Sequence, residues 1–149
     1  LIVFLVLNFA ALGIGGIFTN EGVSSDWYSS LIKAPWTPPG WVFGAAWTTI
    51  MICFAFYMMY CWEEVNNRKI LIGLFGLQWM LNVSWNPIFF TYHKVDVALV
   101  VIIALTMLVG VLLYKYRTIV QFKSLLLLPY FVWLLIATSL NAFILIYNP

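Results

Sequence analysis

Apolar residues run along this chain in five stretches, separated by short polar breaks. The stretches are Leu1–Thr19, Trp41–Trp62, Ile70–Tyr92, Val97–Tyr114 and Ser124–Tyr147. Most are close to the ~20 residues that an α-helix needs to cross the ~30 Å hydrocarbon core of a bilayer. The pattern therefore predicts an all-α integral membrane protein: a five-helix bundle forming one domain over residues 1–149. A short N-terminal piece is expected before Leu1. Leu1–Thr19 offers no charged n-region and no small-residue cleavage site, so it reads as a retained helix rather than a signal peptide.

Composition agrees with this picture. The chain is 64% hydrophobic and 8% charged, with a mean hydropathy of +1.01. A soluble domain carries about 25% charged residues. All twelve charged side chains fall outside the expected spans. Pumps, voltage sensors and ion-coupled carriers need ionisable groups inside the membrane, so an ion-driven mechanism is disfavoured. A net charge of +2 gives no case for nucleic acid. Cys53 and Cys61 sit on one predicted helix, about 12 Å apart along its axis, too far for a disulfide between them. Arg68, Lys69, Lys115, Arg117 and Lys123 fall on one side of the bundle, against Lys33 and Lys94 on the other. The positive-inside rule then predicts the N-terminus inside and the first connection outside, most simply in a bacterial cell membrane.

That first connection, residues 20–40, is the one long break. Ser24, Ser25 or Asp26 can cap a short helix. Trp27, Tyr28, Leu31 and Ile32 give it an apolar face, and Pro35 ends it. Pro38 and Pro39 hold the chain extended up to the next span. The segment reads as an ordered lid over one end of the bundle, with Asp26, Trp27, Tyr28 and Lys33 as its residues. A second reading is aromatic anchoring at the headgroup level.

Three helices present inward stripes. On the second span Phe43, Trp47, Met51 and Phe54 share a face. On the third, Gln78, Asn82, Trp85, Asn86 and Phe89 fall within ~100°, next to Pro87, which interrupts the backbone ladder. On the fifth, Tyr130, Trp133, Ala137 and Asn141 align. Side-chain amides in hydrocarbon need partners. They serve either as interhelical glue or, beside tryptophan faces, as orienting groups for a large flat apolar ligand.

Trp36-Thr37-Pro38-Pro39-Gly40 with Phe43 and Trp47 resembles the signature of the TspO/MBR family, the tryptophan-rich sensory proteins and translocator proteins (peripheral-type benzodiazepine receptors). Leu81–Pro87 with Phe89 and Phe90, and Pro129-Tyr130 with Trp133, Ala137, Leu140 and Asn141, are similar to two further family blocks. The resemblance implies a five-helix receptor or carrier that binds porphyrins, protoporphyrin IX and haem among them, with no obligatory cofactor. It implies a cavity lined by Trp36, Phe43, Trp47, Asn82, Trp85, Tyr130, Trp133, Ala137 and Asn141, to which the residue pattern adds Pro38, Pro39, Asn86 and Phe89. For some bacterial members it implies light-dependent protoporphyrin IX breakdown, with Trp47 and Trp133 at the positions concerned. A membrane scaffold with a vestigial site is a third class.

Departures qualify the carry-over. Tyr147 is followed by Asn148-Pro149 instead of a basic residue, so the sterol pattern is incomplete and sterol is not an expected ligand. Ala34 lengthens the connection by one residue relative to many members. His93, the only histidine, is a candidate axial haem ligand set against an ordinary solvated side chain; no other metal site is expected. Lys33 and Lys94 are candidate partners for porphyrin propionates. Gly13, Gly16, Gly73 and Gly76 invite close helix approach, either as packing within the chain or, as the family resemblance implies for the third span, as a homodimer face.

Overall fold

The computed structural model describes residues 1–149 and is all-helical. Five long helices, α1 (Ile2–Val23), α3 (Gly40–Glu64), α4 (Arg68–Phe90), α5 (Val95–Val120) and α6 (Leu128–Tyr147), pack side by side. A five-residue helix, α2 (Asp26–Ser30), lies in the first connection, and a 3-10 turn (Gln121–Leu127) precedes α6. α1 packs against α3 and α4, and α5 packs between α4 and α6. By length and composition α1, α3 and the α5–α6 region can each cross a membrane. α4 is less apolar because it carries Gln78, Asn82 and Asn86.

The helices outrun the hydropathy pattern. α1 continues past Thr19 to Val23, with Glu21 exposed in its last turn, so the connection shortens to residues 24–39. α5 continues past Tyr114 to Val120. Lys115 and Arg117 are part of it, their charges resting 5.8 Å and 4.2 Å from the rings of Tyr116 and Tyr114. Charge ends the apolar run but not the backbone hydrogen bonding, since long basic side chains keep their heads in water. The last span is interrupted: residues 121–127 form 3-10 turns and the α-helix starts only at Leu128. Pro129 sits in the first turn of α6, where a missing N–H leaves no bond unmade. α2 stops at Ser30 rather than running on to Pro35; Ser25 caps it by accepting the Tyr28 amide.

Aromatic packing dominates the core. Phe54, fully buried, stacks on Tyr57 and Phe75 and meets Tyr130 edge-on. Buried amides bridge helices: Asn8 donates to the Met51 carbonyl, and Gln78 pairs with the Tyr130 hydroxyl. Such bonds average only about 0.6 kcal/mol in membranes, so their main effect is to fix register. On α1 the close approach falls on Gly15 and Gly22, not on Gly13 and Gly16. A Cβ on Gly15 would lie 2.7 Å from Asn86 Nδ2, and one on Gly22 would collide with Phe90. Around Gly13, Gly16, Gly73 and Gly76 an added Cβ meets nothing.

Candidate functional site

At the end of the bundle nearest the first connection, α1, α3, α4, α5 and α6 diverge around a cavity of about 290 Å³. The α3 stripe supplies Phe43 and Trp47, α4 supplies Asn82, Trp85 and Asn86, and α6 supplies Trp133 and Ala137. Six residues of α1, from Ala11 to Asn20, complete the wall. The exposed positions among the lining residues are Asn20, Gly40 and Gly44, which sets the opening between the end of α1 and the start of α3.

The Thr19 hydroxyl lies 2.8 Å from Asn86 Oδ1 and 2.9 Å from the Gly15 carbonyl, and donation to Asn86 ties α1 to α4; Asn86 Nδ2 donates to the Asn82 carbonyl at 3.3 Å within α4. Trp85 Nε1 donates to Asn141 Oδ1 at 3.1 Å, and Asn141 Nδ2 donates to the Val95 carbonyl at 2.9 Å. Asn86 and Asn141 are therefore committed to helix pairing, and the Trp85 ring is locked by the second pair. The Asn82 side-chain amide has no bond within the protein. Trp133 is buried, and its Nε1–H has no partner. Its ring is held by an edge contact with Phe43 at 5.3 Å, as Trp47 is held by Tyr130 at 5.9 Å. The wall thus combines fixed aromatic faces with polar side chains that no protein group engages, those of Asn20, Trp47, Asn82 and Trp133.

Other sequence-predicted residues lie elsewhere. Tyr130 sits fully buried behind Trp47. Phe89 and Asn141 line a smaller recess of about 60 Å³ with Tyr28 and Lys33, separated from the main cavity by Phe43, Trp85, Phe90 and Ala137, which border both. Trp36, Pro38 and Pro39 line neither. Trp36 is half exposed; it donates to Ser139 Oγ at 3.1 Å and packs edge-on against Phe143. Asp26 is exposed at the start of α2. His93 lies outside the cavity and stacks on Trp27 at 4.0 Å, while Trp27 meets Phe89 on another side.

The first connection is fastened at several points. Asn148 accepts from the Ile32 amide at 2.8 Å and donates to the Ile32 carbonyl at 3.0 Å, as a strand neighbour does. Ala34 is buried. The Lys33 ammonium lies 4.5 Å from the Tyr28 ring, and burial raises the Tyr28 phenol above its ordinary 10.0. Sequence reasoning missed the α1 wall and both α6-end fasteners, Ser139 and Asn148. Gly15, Gly16 and Thr19 do fall on one helical face, a signal that the uniform apolarity of the span obscures.

A family profile described as TspO/MBR matches residues 2–147. The chain is 34% identical to the tryptophan-rich protein TspO of Archaeoglobus fulgidus, over 96% of this chain and 94% of that protein. It is 32% identical to the TspO of Chlorobaculum tepidum, covering 93% and 90%. It is 30% identical to the human translocator protein, covering 86% and 78%. The protein belongs to the TspO/MBR family, the translocator and tryptophan-rich sensory proteins, and is a membrane protein.

Proposed function

We propose that the protein is a membrane receptor or carrier for porphyrins and related flat hydrophobic ligands, held in the cavity beneath the first connection, which acts as its lid. The observation that carries this reading is a cavity whose wall joins the rings of Trp47, Trp85 and Trp133 to the side-chain amide of Asn82, which no protein group engages. Trp133 adds a buried, unpaired N–H, which costs about 1–3 kcal/mol; a ligand acceptor recovers that cost when the indole turns toward it. The cavity lies at the lower edge of the ~300–1,000 Å³ usual for small-molecule sites. A macrocycle therefore enters with one edge left in the α1–α3 opening, where its carboxylates keep water. Five helices cross the membrane, with the N-terminus inside and the lid outside a bacterial cell membrane. The open α4 face at Gly73 and Gly76 is the contact for a second copy.

The test is titration of purified protein with protoporphyrin IX in the dark, followed by tryptophan quenching, for wild type, Trp47→Phe and Trp133→Phe. Saturable binding that Trp133→Phe weakens is expected. Absence of saturation overturns the reading. Illuminating the same samples separates binding from chemistry: a Trp-dependent product would replace the receptor reading with an enzymatic one.

A further inference from the structure

The opposite end of the bundle carries an arrangement that the cavity does not use. The charges of the chain are split between its two ends. The end formed by the last turns of α3 and α5, the first turn of α4 and the 3-10 turn holds five bases, Arg68, Lys69, Lys115, Arg117 and Lys123, against Glu63 and Glu64, a net +3. The lid end holds Lys33 and Lys94 against Glu21, Asp26 and Asp96, a net −1. The 3-10 turn meets the end of α3, since Lys123 reaches Glu64 at 3.7 Å and lies 4.3 Å from the Tyr60 ring.

Four of these cations lie over aromatic rings, Lys115 the farthest at 5.8 Å from Tyr116 and the other three closer. Arg68 lies 4.8 Å from the Trp62 ring and donates from Nε to the Trp62 carbonyl at 3.1 Å. Arg117 lies over Tyr114 and Lys123 over Tyr60. Bracing reduces the side-chain freedom that binding would otherwise remove, and a guanidinium presents a fork that matches a phosphate. Between them runs the 3-10 turn Gln121–Leu127, entered through a positive φ of 50° at Gln121. In a 3-10 helix residues three apart are eclipsed, so Phe122 and Leu125 share one side. They are 75% and 61% exposed, while Leu127 in the same turn is fully buried.

We propose that this end of the bundle is a binding site for anionic phospholipid. Phe122 and Leu125 insert among the acyl chains, and Arg117, Lys123 and Arg68 hold the headgroup phosphate. The exposed apolar pair selects a lipid over free phosphate, because a soluble anion leaves it uncovered. The net +3 selects an anionic headgroup over a zwitterionic one. Each base near a surface of anionic lipid contributes about fivefold to its affinity. The proposal does not depend on what the cavity binds.

The experiment is native mass spectrometry of the purified protein in mixed micelles with equimolar phosphatidylglycerol and phosphatidylcholine. Preferential retention of phosphatidylglycerol is expected. It should fall about fivefold for Lys123→Gln and further for Arg117→Gln/Lys123→Gln, with melting temperature unchanged. Phe122→Ser should lower total lipid retention, Lys33→Gln/Lys94→Gln should leave the preference intact, and millimolar inorganic phosphate should not compete. Equal retention of the two lipids, a preference indifferent to Arg117 and Lys123, or equal loss in the lid-end variant each overturns the proposal. Displacement by phosphate overturns its assignment to lipid.

Discussion

Two side chains on the cavity wall behave differently from their neighbours of the same type. Asn86 and Asn141 are spent on helix pairing, whereas Asn82 has no partner. Trp85 donates to Asn141, whereas the Trp133 N–H is buried and unpaired. In sequence the three asparagines and the tryptophans read alike, because each sits on the inward stripe of its helix. Only the positions of partners on other helices, such as Thr19 on α1, separate glue from site. Replacing Trp133 by phenylalanine keeps the edge contact with Phe43 and removes the donor. Its expected effect is about tenfold weaker binding of a ligand that presents an acceptor, within the usual worth of such a bond, measured by quenching of the remaining tryptophans. Gly15 and Gly22 set a second residue-scale limit. Gly22→Ala drives a methyl into Phe90 and should destabilise the bundle by about 1–3 kcal/mol, read as a lowered melting temperature. Gly13→Ala, facing open space, should not.

Among the elements, the first connection is where the pattern of prolines and aromatics was informative but incomplete. Ser25, Trp27 and Tyr28 announced a capped short helix, and that helix is present. Trp36 reads as a cavity residue from the family block, yet it lies outside and fastens the connection to Ser139 and Phe143 on α6. Asn148, which sequence comparison treats only as a departure from a sterol pattern, grips the Ile32 peptide from both sides. A contact between residues 116 positions apart leaves no local trace. Asn148→Ala should free this strand-like pairing. Faster hydrogen exchange at the Ile32 amide, with the core unchanged, is the expected result. Tyr28 adds a pH dependence. Burial favours its neutral form and raises its pKa, so the attachment is constant below pH 10, the ordinary value, and weakens as rising pH ionises the phenol. Tyr28→Phe should remove that alkaline loss, measured by the same exchange experiment.

At the scale of the molecule, hydropathy located all five long helices, since burial in lipid requires runs of apolar residues. It misplaced their ends, at Val23, Val120 and Leu128, because backbone hydrogen bonding continues past the last apolar side chain. The contribution of α1 to the cavity was hidden for a related reason: an almost uniformly apolar helix has no contrasting face to read. What the assembled bundle adds is a cavity walled by every long helix, with the first connection fastened to the end of α6 nearby. The central claim is that this cavity holds the ligand. Gly16 and Gly44 allow a direct test, because an added Cβ at either meets nothing within 4 Å and both border the cavity. Replacing glycine inside a helix also gains about 0.5–1 kcal/mol of propensity, so Gly16→Leu/Gly44→Leu should fold while narrowing the space. The decisive measurement is the dissociation constant of protoporphyrin IX for this variant and for wild type, in the dark and at matched melting temperature. A loss of binding of at least about tenfold is the predicted result. An unchanged constant in a folded variant would contradict the account and move the ligand to another surface of the protein.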